Sequence, residues 1–290
     1  AMCAQLAPEL SALSHRVGAA QFASQYIGGP EAQVWLIKSK LSRFPHWLTL
    51  QIDGINAFNS LDRKAMLEEV RLRCPKLYNY AFMFYGRQSS ELIIELDAPW
   101  PENMPVPEGV TILDASRIRI AITSESGVTQ GDALGMILFC ICFQKVLDTV
   151  AAAFPDIDVS AYADDGRLTG PALQVIAAYQ LMRDEMRKIG LEVKEKDLVA
   201  YSPTTQPPAV KNACAAHKII LMSPEEGVNV LGSPVGSVDY IRTSVMKKWR
   251  GANADVEPME KRSPNSLLHR LGRVGLMKPG QAKDALIRYC

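Results

Sequence analysis

Two adjacent carboxylates, Asp164 and Asp165, are the residues of this chain best suited to chemistry. The alternating apolar run Ile157–Ala161 leads into them and Gly166 follows. This pattern predicts a strand, a tight turn and a returning strand, with the acids at the bend. Neighbouring carboxylates repel each other, and a divalent cation with oxygen ligands offsets that charge. Taken alone, the pair also fits a solvated turn rich in Asp and Gly.

A third acid and a glycine-rich loop strengthen the cation hypothesis. Asp53 ends the apolar run Trp47–Ile52, and a carboxylate at such a sheet edge can reach a metal ion. Gly127 and Gly131 lie on either side of Gln130, just before a long apolar segment. Such a loop lets the backbone approach a ligand closely and directs amide groups at it. The three stretches together predict a cation site beside a ligand-binding loop.

Composition is that of a globular chain with an ordinary core. The 290 residues are 48% hydrophobic and 22% charged, which indicates more than one subdomain. The apolar stretch Ala133–Phe143 is too short to span a bilayer, so we expect no membrane segment. No signal peptide opens the chain, and the six cysteines form no paired framework. An intracellular, reducing setting is therefore expected.

Basic residues are concentrated near the end of the chain. The net charge is only +1, but residues 241–290 carry eleven Lys and Arg against four Asp and Glu. This segment predicts contact with a polyanion, and the alternative is a solvated helical face. The chain opens without Met and stops within a helical pattern at Ile287–Cys290, which predicts a piece of a longer protein.

Hydrophobic periodicity predicts interleaved helices and strands without a strict βαβ order, and hence an α+β fold. Extended segments are expected at Trp47–Asp53, Ala81–Leu96, Arg117–Thr123, Tyr162–Leu168 (as a hairpin), Val199–Tyr201, Lys218–Met222 and Val228–Leu231. Helices are expected at Ser60–Cys74, Asp132–Phe154, Pro171–Ile189 before Gly190, and in basic stretches around Ser244–Arg250 and Ser266–Arg288.

The motifs, in this order, resemble the palm of reverse transcriptases. Asp53 matches the acid of the first palm motif, Gly127–Gly131 the Gly-x-x-Gln-Gly motif, and Tyr162–Asp165 the aromatic-x-Asp-Asp motif. The finer likeness is to non-LTR retrotransposon enzymes. The segments that carry this likeness are Gly28–Ala32, Ala57–Ser60, Gly127–Asp132 and the primer-grip-like Val230–Gly236.

The resemblance implies a right-hand polymerase palm, an antiparallel sheet packed on helices, with partial fingers and a helical thumb. The expected parts are partial fingers over residues 1–46, palm over 47–222, primer-grip-like strands over 223–240 and an incomplete basic thumb over 241–290. The implied activity is that of an RNA-directed DNA polymerase. Its partners would be an RNA template, a DNA or RNA primer and dNTPs. For a eukaryotic retroelement the location would be the nucleus.

The resemblance also implies roles for single residues. Asp53, Asp164 and Asp165 would hold two Mg²⁺ ions, with Mn²⁺ as an alternative, and Lys196 would protonate pyrophosphate. The residues implied to bind the nucleotide are Gly54, Phe58, Gln130, Gly131, Tyr162 and Ala163. Those implied to bind primer or template are Gly232, Ser233, Lys247, Lys248, Arg270 and Arg273.

The resemblance predicts the choice between deoxynucleotides and ribonucleotides from Phe58. An aromatic ring five residues after the first acid leaves no room for a 2′-hydroxyl in this family, which favours deoxynucleotides. The alternative for Phe58 is an ordinary core residue without a role in binding. The alternative for Gln130 is an ordinary turn residue without a nucleotide contact.

The chain departs from the family pattern in three places. Few basic residues precede Asp53, so we expect part of the triphosphate grip to be missing. Asp197 stands where lysine is usual, with Lys196 one residue out of register, and Leu134–Met136 replaces the usual end of the glutamine motif. Three other functions stay open. They are a non-catalytic nucleic-acid-binding or assembly module of polymerase origin, an RNA-copying polymerase, and a metal-dependent nuclease.

Overall fold

Helices and strands interleave along the part of the chain that the computed structural model describes. That part comprises residues 8, 10–12, 19–24, 27–86, 90–97, 100, 105–106, 110–114, 116–129 and 132–250. The strands are β1 (Ala19–Gln21), β2 (Leu48–Ile52), β3 (Ser90–Leu96), β4 (Val110–Asp114), β5 (Arg117–Ser124), β6 (Asp158–Tyr162), β7 (Asp165–Gly170), β8 (Val199–Tyr201), β9 (Ile220–Leu221), β10 (Gly227–Val230) and β11 (Ser233–Gly236). The helices are α1 (Gly29–Arg43), α2 (Ala57–Ser60), α3 (Arg63–Arg73), α4 (Pro75–Tyr85), α5 (Gly135–Ala153), α6 (Ala172–Lys188), α7 (Pro208–Ala216) and α8 (Val238–Arg250), with a 3₁₀ turn at Glu195–Asp197.

A six-stranded sheet in the order β1-β6-β7-β2-β8-β9 forms the centre of the molecule. Its middle strands are antiparallel, as expected, whereas both edges are parallel pairs, β1 with β6 and β8 with β9. A three-stranded sheet β3-β5-β4 and the hairpin β10-β11 are separate from it. The mixed α and β content agrees with the expectation from periodicity.

The two faces of the central sheet differ because side chains alternate along a strand. Leu50, Ile52 and Leu168 are fully buried in the main core with α5 and α6. The opposite face carries buried polar side chains, namely Thr49, Ser160, Arg167 and Thr169. On that side the α1 residue Gln33 donates from Nε2 to the Ser160 hydroxyl at 3.2 Å.

The expectation of extended chain over Ala81–Leu96 was wrong for its first third. Residues 81–85 complete helix α4, and only Ser90–Leu96 form a strand. Leu77, Ala81 and Tyr85, spaced four apart, are buried, so a helical face buries these apolar residues together. Helix α3 begins later than expected, because the Asp62 carboxylate accepts the Ala65 N–H at 2.6 Å and caps it.

Helix α5 is long and apolar enough to cross a membrane by length and composition, with a mean hydropathy of 1.7. In this fold it is a core helix, since Leu138, Phe139, Phe143 and Leu147 are fully buried. Its apolar composition is therefore explained by packing against the sheet and α6. The four described cysteines, Cys74, Cys140, Cys142 and Cys214, are buried, and no two of them form a disulfide.

Candidate active site

Strand register brings the three acids to one end of the central sheet. Tyr162 pairs with Asp165 across the β6–β7 turn, and Ile52 of β2 pairs with Gly166. One step further along this antiparallel register, Asp53 comes beside Asp165. Residues opposite each other in such a pair have Cα atoms about 5 Å apart. The structure thus brings together the carboxylates predicted to act together.

The turn between the paired carboxylates and β6 has an unusual backbone. Ala163 has φ of 55°, in the left-handed region, which costs a non-glycine residue about 1–2 kcal/mol. Its N–H donates to Gln21 Oε1 at 2.9 Å, and Gln21 Nε2 donates to its carbonyl at 3.0 Å. Sequence reasoning missed Gln21. The available signal was a polar side chain inside the short apolar run Ala19–Phe22, where burial demands hydrogen-bond partners.

Electrostatics at this end of the sheet favour a cation. Burial raises the pKa of Asp164, and the charges of Asp165 and Asp53 raise it further. Burial and the charge of Asp53 also raise the pKa of Asp165, while Arg167 lowers it in part. Burial lowers the pKa of Arg167 itself to about 10. Among the described residues, nearby positive charge does not offset the burial and mutual repulsion that raise the pKa of Asp164 and Asp165.

Arg167 links the acids to the hairpin β10-β11. The side chain is 1% exposed and its Nη2 donates to the Asn229 carbonyl at 3.2 Å. Among described residues its Nε and Nη1 have no hydrogen-bond partner. The hairpin turns at Leu231 and Gly232, both with positive φ, as a type I′ turn requires. Gly232 and Ser233, which the resemblance implies to contact the primer, belong to this hairpin. The hydrogen bond from Arg167 of β7 to Asn229 therefore attaches their hairpin to the strand that begins at Asp165.

Asp164→Asn is expected to make the metal-free protein more stable at neutral pH. A carboxyl whose pKa is raised by folding contributes stability only while protonated, and loses it as pH rises through the raised pKa. The asparagine amide stays neutral at every pH, so the variant does not lose this stability as the pH rises. Thermal unfolding should show the variant melting a few degrees above the wild type at pH 7, with the gap closing toward the ordinary pKa of Asp. A gap that is absent, or constant with pH, would contradict the assignment.

A cavity of about 480 Å³ opens beside the acids. It is lined by Asp53, Gly54, Ile55, Asn56, Ala57, Phe58, Asn59, Asp164, Lys194 and Lys196. Five of the predicted residues, Asp53, Gly54, Phe58, Asp164 and Lys196, thus share one cavity, whereas Tyr162, Ala163 and Asp165 do not line it.

Lys194 forms an ion pair with the first acid, and the sequence pattern did not single it out. Its Nζ lies 3.6 Å from Asp53 Oδ2 and also pairs with Asp197. The backbone fixes this position, since Lys194 N–H donates to the Asp53 carbonyl at 2.9 Å. Asp197, a departure from the family pattern, serves here as a partner of Lys194.

Phe58 is both a packing residue and a cavity residue. Its ring stacks on the fully buried ring of Phe139, with centroids 4.5 Å apart and planes 20° apart. The half-buried Phe58 also lines the cavity beside Asp53. The core alternative therefore holds for one face of the ring, and the other surface is available to a ligand.

The glycine-rich loop is fastened to the segment after Asp53. Gly127 N–H donates to the Leu61 carbonyl at 2.7 Å, and Val128 N–H donates to the Phe58 carbonyl at 2.8 Å. Arg63, also missed from sequence, donates from Nε to the Gly127 carbonyl at 2.9 Å. This backbone pairing keeps the loop beside Phe58.

The far side of the loop is held through Tyr85. Its hydroxyl donates to Asp132 Oδ2 at 2.5 Å and accepts the Thr129 N–H at 3.2 Å. Gln130 and Gly131 themselves lie outside the described residues. The loop is therefore fixed by hydrogen bonds on both sides of the predicted glutamine.

Gly127→Ala is expected to destabilise the protein by more than about 2 kcal/mol. Gly127 has φ of 72°, and an added Cβ would overlap the backbone of Phe58 and Asn59. Gly28→Ala is the matched control, because Gly28 has φ of 67° but its Cβ would meet only Glu31 Oε2 at 3.6 Å. Urea unfolding should show a loss of about 1 kcal/mol for the control. Equal losses in the two variants would show that crowding at Gly127 is unimportant.

The donor chemistry of the acids suits Mg²⁺. Within the described part of the chain, no group of three or more His, Cys, Asp or Glu side chains is arranged so that it could hold a metal ion by itself. Mg²⁺ usually binds through one or two carboxylates, with water and substrate phosphate oxygens completing its shell. Asp53, Asp164 and Asp165 offer hard oxygen donors whose charges disfavour one another's ionisation, so their chemistry fits that ion.

The remaining predicted contacts lie in the last part of the chain. Lys247 is exposed on α8, which follows the hairpin. The side chain of Lys248 lies outside the described part, as do Arg270 and Arg273. Basic residues of α8 therefore follow the primer-grip-like strands directly.

Comparison with known proteins gives structural similarity only. No protein-family model matches the chain, and no curated protein matches it significantly. Telomerase from Candida albicans, in complex with a TWJ fragment of telomeric RNA, is similar with a TM-score of 0.46 and 14% identity, over 81% of this chain and 37% of that chain. Telomerase from Candida tropicalis, truncated from the C-terminal domain, gives a TM-score of 0.43 and 11% identity over 69% and 40%. Apo telomerase from Candida tropicalis gives 0.42 and 12% over 69% and 36%. The chain spans well under half of the length of these telomerase chains.

Proposed function

We propose that the chain is an RNA-directed DNA polymerase domain that adds dNTPs to a primer 3′-hydroxyl on an RNA template. The observation that carries the proposal is the meeting of Asp53 with Asp164 and Asp165 at one sheet end, beside a cavity that Phe58 lines. Asp53 follows β2 and the other two acids lie at the β6–β7 turn, so the fold gathers carboxylates that could hold the paired metal ions of phosphoryl transfer. A retroelement of the non-LTR type is the proposed source.

In this proposal Asp53, Asp164 and Asp165 hold two Mg²⁺ ions, or Mn²⁺. When bound, the ions supply Lewis-acid stabilisation of the attacking hydroxyl and of the triphosphate. The raised pKa of both Asp164 and Asp165 supports this role, since a bound cation would offset the charge that burial disfavours.

The two lysines of the cavity, Lys194 and Lys196, would supply positive charge beside the acids. Lys196 is proposed to give a proton to the leaving pyrophosphate, and Lys194 to neutralise phosphate charge. Both line the cavity with Asp53 and Asp164, which supports these roles. They would partly replace the triphosphate-binding cations that the sequence lacks before Asp53.

Phe58 is proposed to exclude ribonucleotides. A ring held by the stack on Phe139 cannot move aside easily, so a sugar seated against it has no room for a 2′-hydroxyl. Gly54 would allow close approach of the nucleotide, and Gln130, Gly131, Tyr162 and Ala163 would complete its surroundings.

Primer and template are proposed to contact the hairpin turn and the basic residues that follow. The contact residues would be Gly232, Ser233, Lys247, Lys248, Arg270 and Arg273. Because such contacts displace counterions from phosphates, binding should weaken steeply with salt.

The second candidate function is a nucleic-acid-binding or assembly module of polymerase origin without catalysis. The specific observation in its favour is Lys194, whose ammonium lies 3.6 Å from Asp53 and competes there with a metal ion. This module would bind primer–template without extending it.

Primer extension on an RNA template distinguishes the candidates. The purified chain is incubated with labelled primer, Mg²⁺ and either dNTPs or NTPs, with a chelator control. Extension with dNTPs that the chelator abolishes supports the polymerase. Salt-sensitive binding without extension, in the presence of Mg²⁺ and also Mn²⁺, would favour the binding module. Shortening of the primer would indicate a nuclease.

A further inference from the structure

We propose that Gln21 is a positioning residue that fixes the turn carrying Asp164 and Asp165, and so sets the direction of both carboxylates. The inference rests on the proposed function of these acids. Gln21 is far from them in sequence and contacts neither substrate nor metal in the proposed reaction. Its action would pass entirely through the backbone of Ala163.

The contact has the form of a two-point clamp. Gln21 Oε1 accepts the Ala163 N–H at 2.9 Å, and Gln21 Nε2 donates to the Ala163 carbonyl at 3.0 Å. One side-chain amide thus satisfies both polar backbone groups of a single residue. The N–H belongs to the Tyr162–Ala163 peptide and the carbonyl to the Ala163–Asp164 peptide. The clamp therefore restrains the peptide units on both sides of the Ala163 Cα, and with them the φ and ψ angles of Ala163.

The conformation of the turn explains the need for the clamp. Ala163 lies in the left-handed region at φ of 55°, which a non-glycine residue keeps only when its surroundings hold it there. Ala163 is also buried, so its backbone groups depend on protein partners for their hydrogen bonds. Without Gln21 the turn would lose the contacts that keep it in this conformation, and Asp164 and Asp165 would move with it.

Gln21 is held in place because its strand is attached to the core. Gln21 is the last residue of β1, which pairs in parallel with β6, opposite Ala161. Gln144 of α5 donates from Nε2 to the Ala19 carbonyl at 2.8 Å, which attaches the same strand to the core. Gln21 Oε1 also accepts the Ala23 N–H at 3.2 Å, so the turn that follows β1 helps to orient the amide. The clamp therefore connects the acids to the core helix through fixed elements.

Gln33 provides a matched control. It is also fully buried, and its Nε2 donates to the Ser160 hydroxyl on β6 at 3.2 Å, before the turn. Gln33→Met and Gln21→Met remove buried amides of the same size from the same region and keep the side-chain volume. Of the two glutamines, Gln21 alone hydrogen-bonds to Ala163. A general loss of packing would affect both variants alike, whereas loss of the clamp would affect only Gln21→Met.

The test uses two readouts that do not require polymerase activity. Amide hydrogen exchange over residues 160–166 reports whether the turn is held, and Mn²⁺ binding, followed by water proton relaxation, reports the placement of the carboxylates. The full chain is used for both. Primer extension is measured in parallel as kcat and KM for dNTP.

We expect Gln21→Met to speed exchange at Ala163 and to weaken Mn²⁺ binding about 10-fold, because two hydrogen bonds are lost. Extension should fall in kcat by a similar factor at unchanged KM, whereas Gln33→Met should change Mn²⁺ affinity and kcat less than about twofold.

Mn²⁺ affinity equal to the wild type in Gln21→Met, or a loss that Gln33→Met reproduces, would overturn the inference. If the wild type extends no primer while the Mn²⁺ and exchange effects are specific to Gln21→Met, the proposed polymerase function fails and the clamp stands.

Discussion

Asp164→Asn is expected to reduce the rate of primer extension by about 10³-fold or more. The change replaces one carboxylate oxygen with an amide nitrogen, which cannot ligate Mg²⁺, and removes half of the charge of the Asp164–Asp165 pair. Several kcal/mol of transition-state stabilisation would be lost with the ligand. The measurement is a single-turnover extension assay at saturating dNTP and Mg²⁺.

Two features make this result easy to interpret. The variant is expected to be more stable than the wild type at pH 7, so inactivity cannot be blamed on unfolding. Primer–template binding, measured at equilibrium, should stay within about twofold, since phosphate contacts elsewhere dominate affinity.

Asp184→Asn is the control for the Asp164 change. Asp184 is an exposed residue of α6 paired with arginines, and its replacement should leave extension unchanged. An Asp164→Asn variant that extends primers at near wild-type rate would remove the metal-ligand role of Asp164.

Phe58→Ala is expected to lower discrimination against ribonucleotides by about 10²-fold, the scale on which an apolar wall excludes one hydroxyl. The ring is the part of the cavity wall next to Asp53 and Gly54, and its removal opens space there. The measurement is the ratio of kcat/KM for dNTP to that for NTP on one template. The dNTP value itself should change less than the NTP value.

Stability must be separated from selectivity in this variant. Loss of the stack on Phe139 should cost about 2 kcal/mol, less than for a fully buried Phe, because Phe58 is only half-buried. Phe139→Leu removes the other ring of the stack without opening the cavity. It should lower the free energy of unfolding, and because Phe58 itself stays in the cavity wall, ribonucleotide exclusion should fall by much less than in Phe58→Ala. Unchanged discrimination in Phe58→Ala would mean that Phe58 is a core residue only.

The sequence predicted those features that depend on a few neighbouring residues. The run Ile157–Gly166 predicted the strand, turn and returning strand because alternation and turn residues act over a few positions. Asp53 at the end of β2 was predicted in the same way. The positions of the acids along their strands were thus available from sequence. The error at Ala81–Tyr85 arose because a short apolar stretch suits either state until burial selects one.

Tertiary structure alone decided how these pieces meet. The register of β2 with β7 places Asp53 beside Asp165, and no local pattern specifies that pairing. Gln21, Arg63 and Lys194 reach the site through hydrogen bonds or ion pairs across the fold, so their sequence surroundings could not identify their partners. The sequence by itself determined which side chains could do chemistry. Packing determined their neighbours, because long-range contacts depend on the whole core rather than on any short segment.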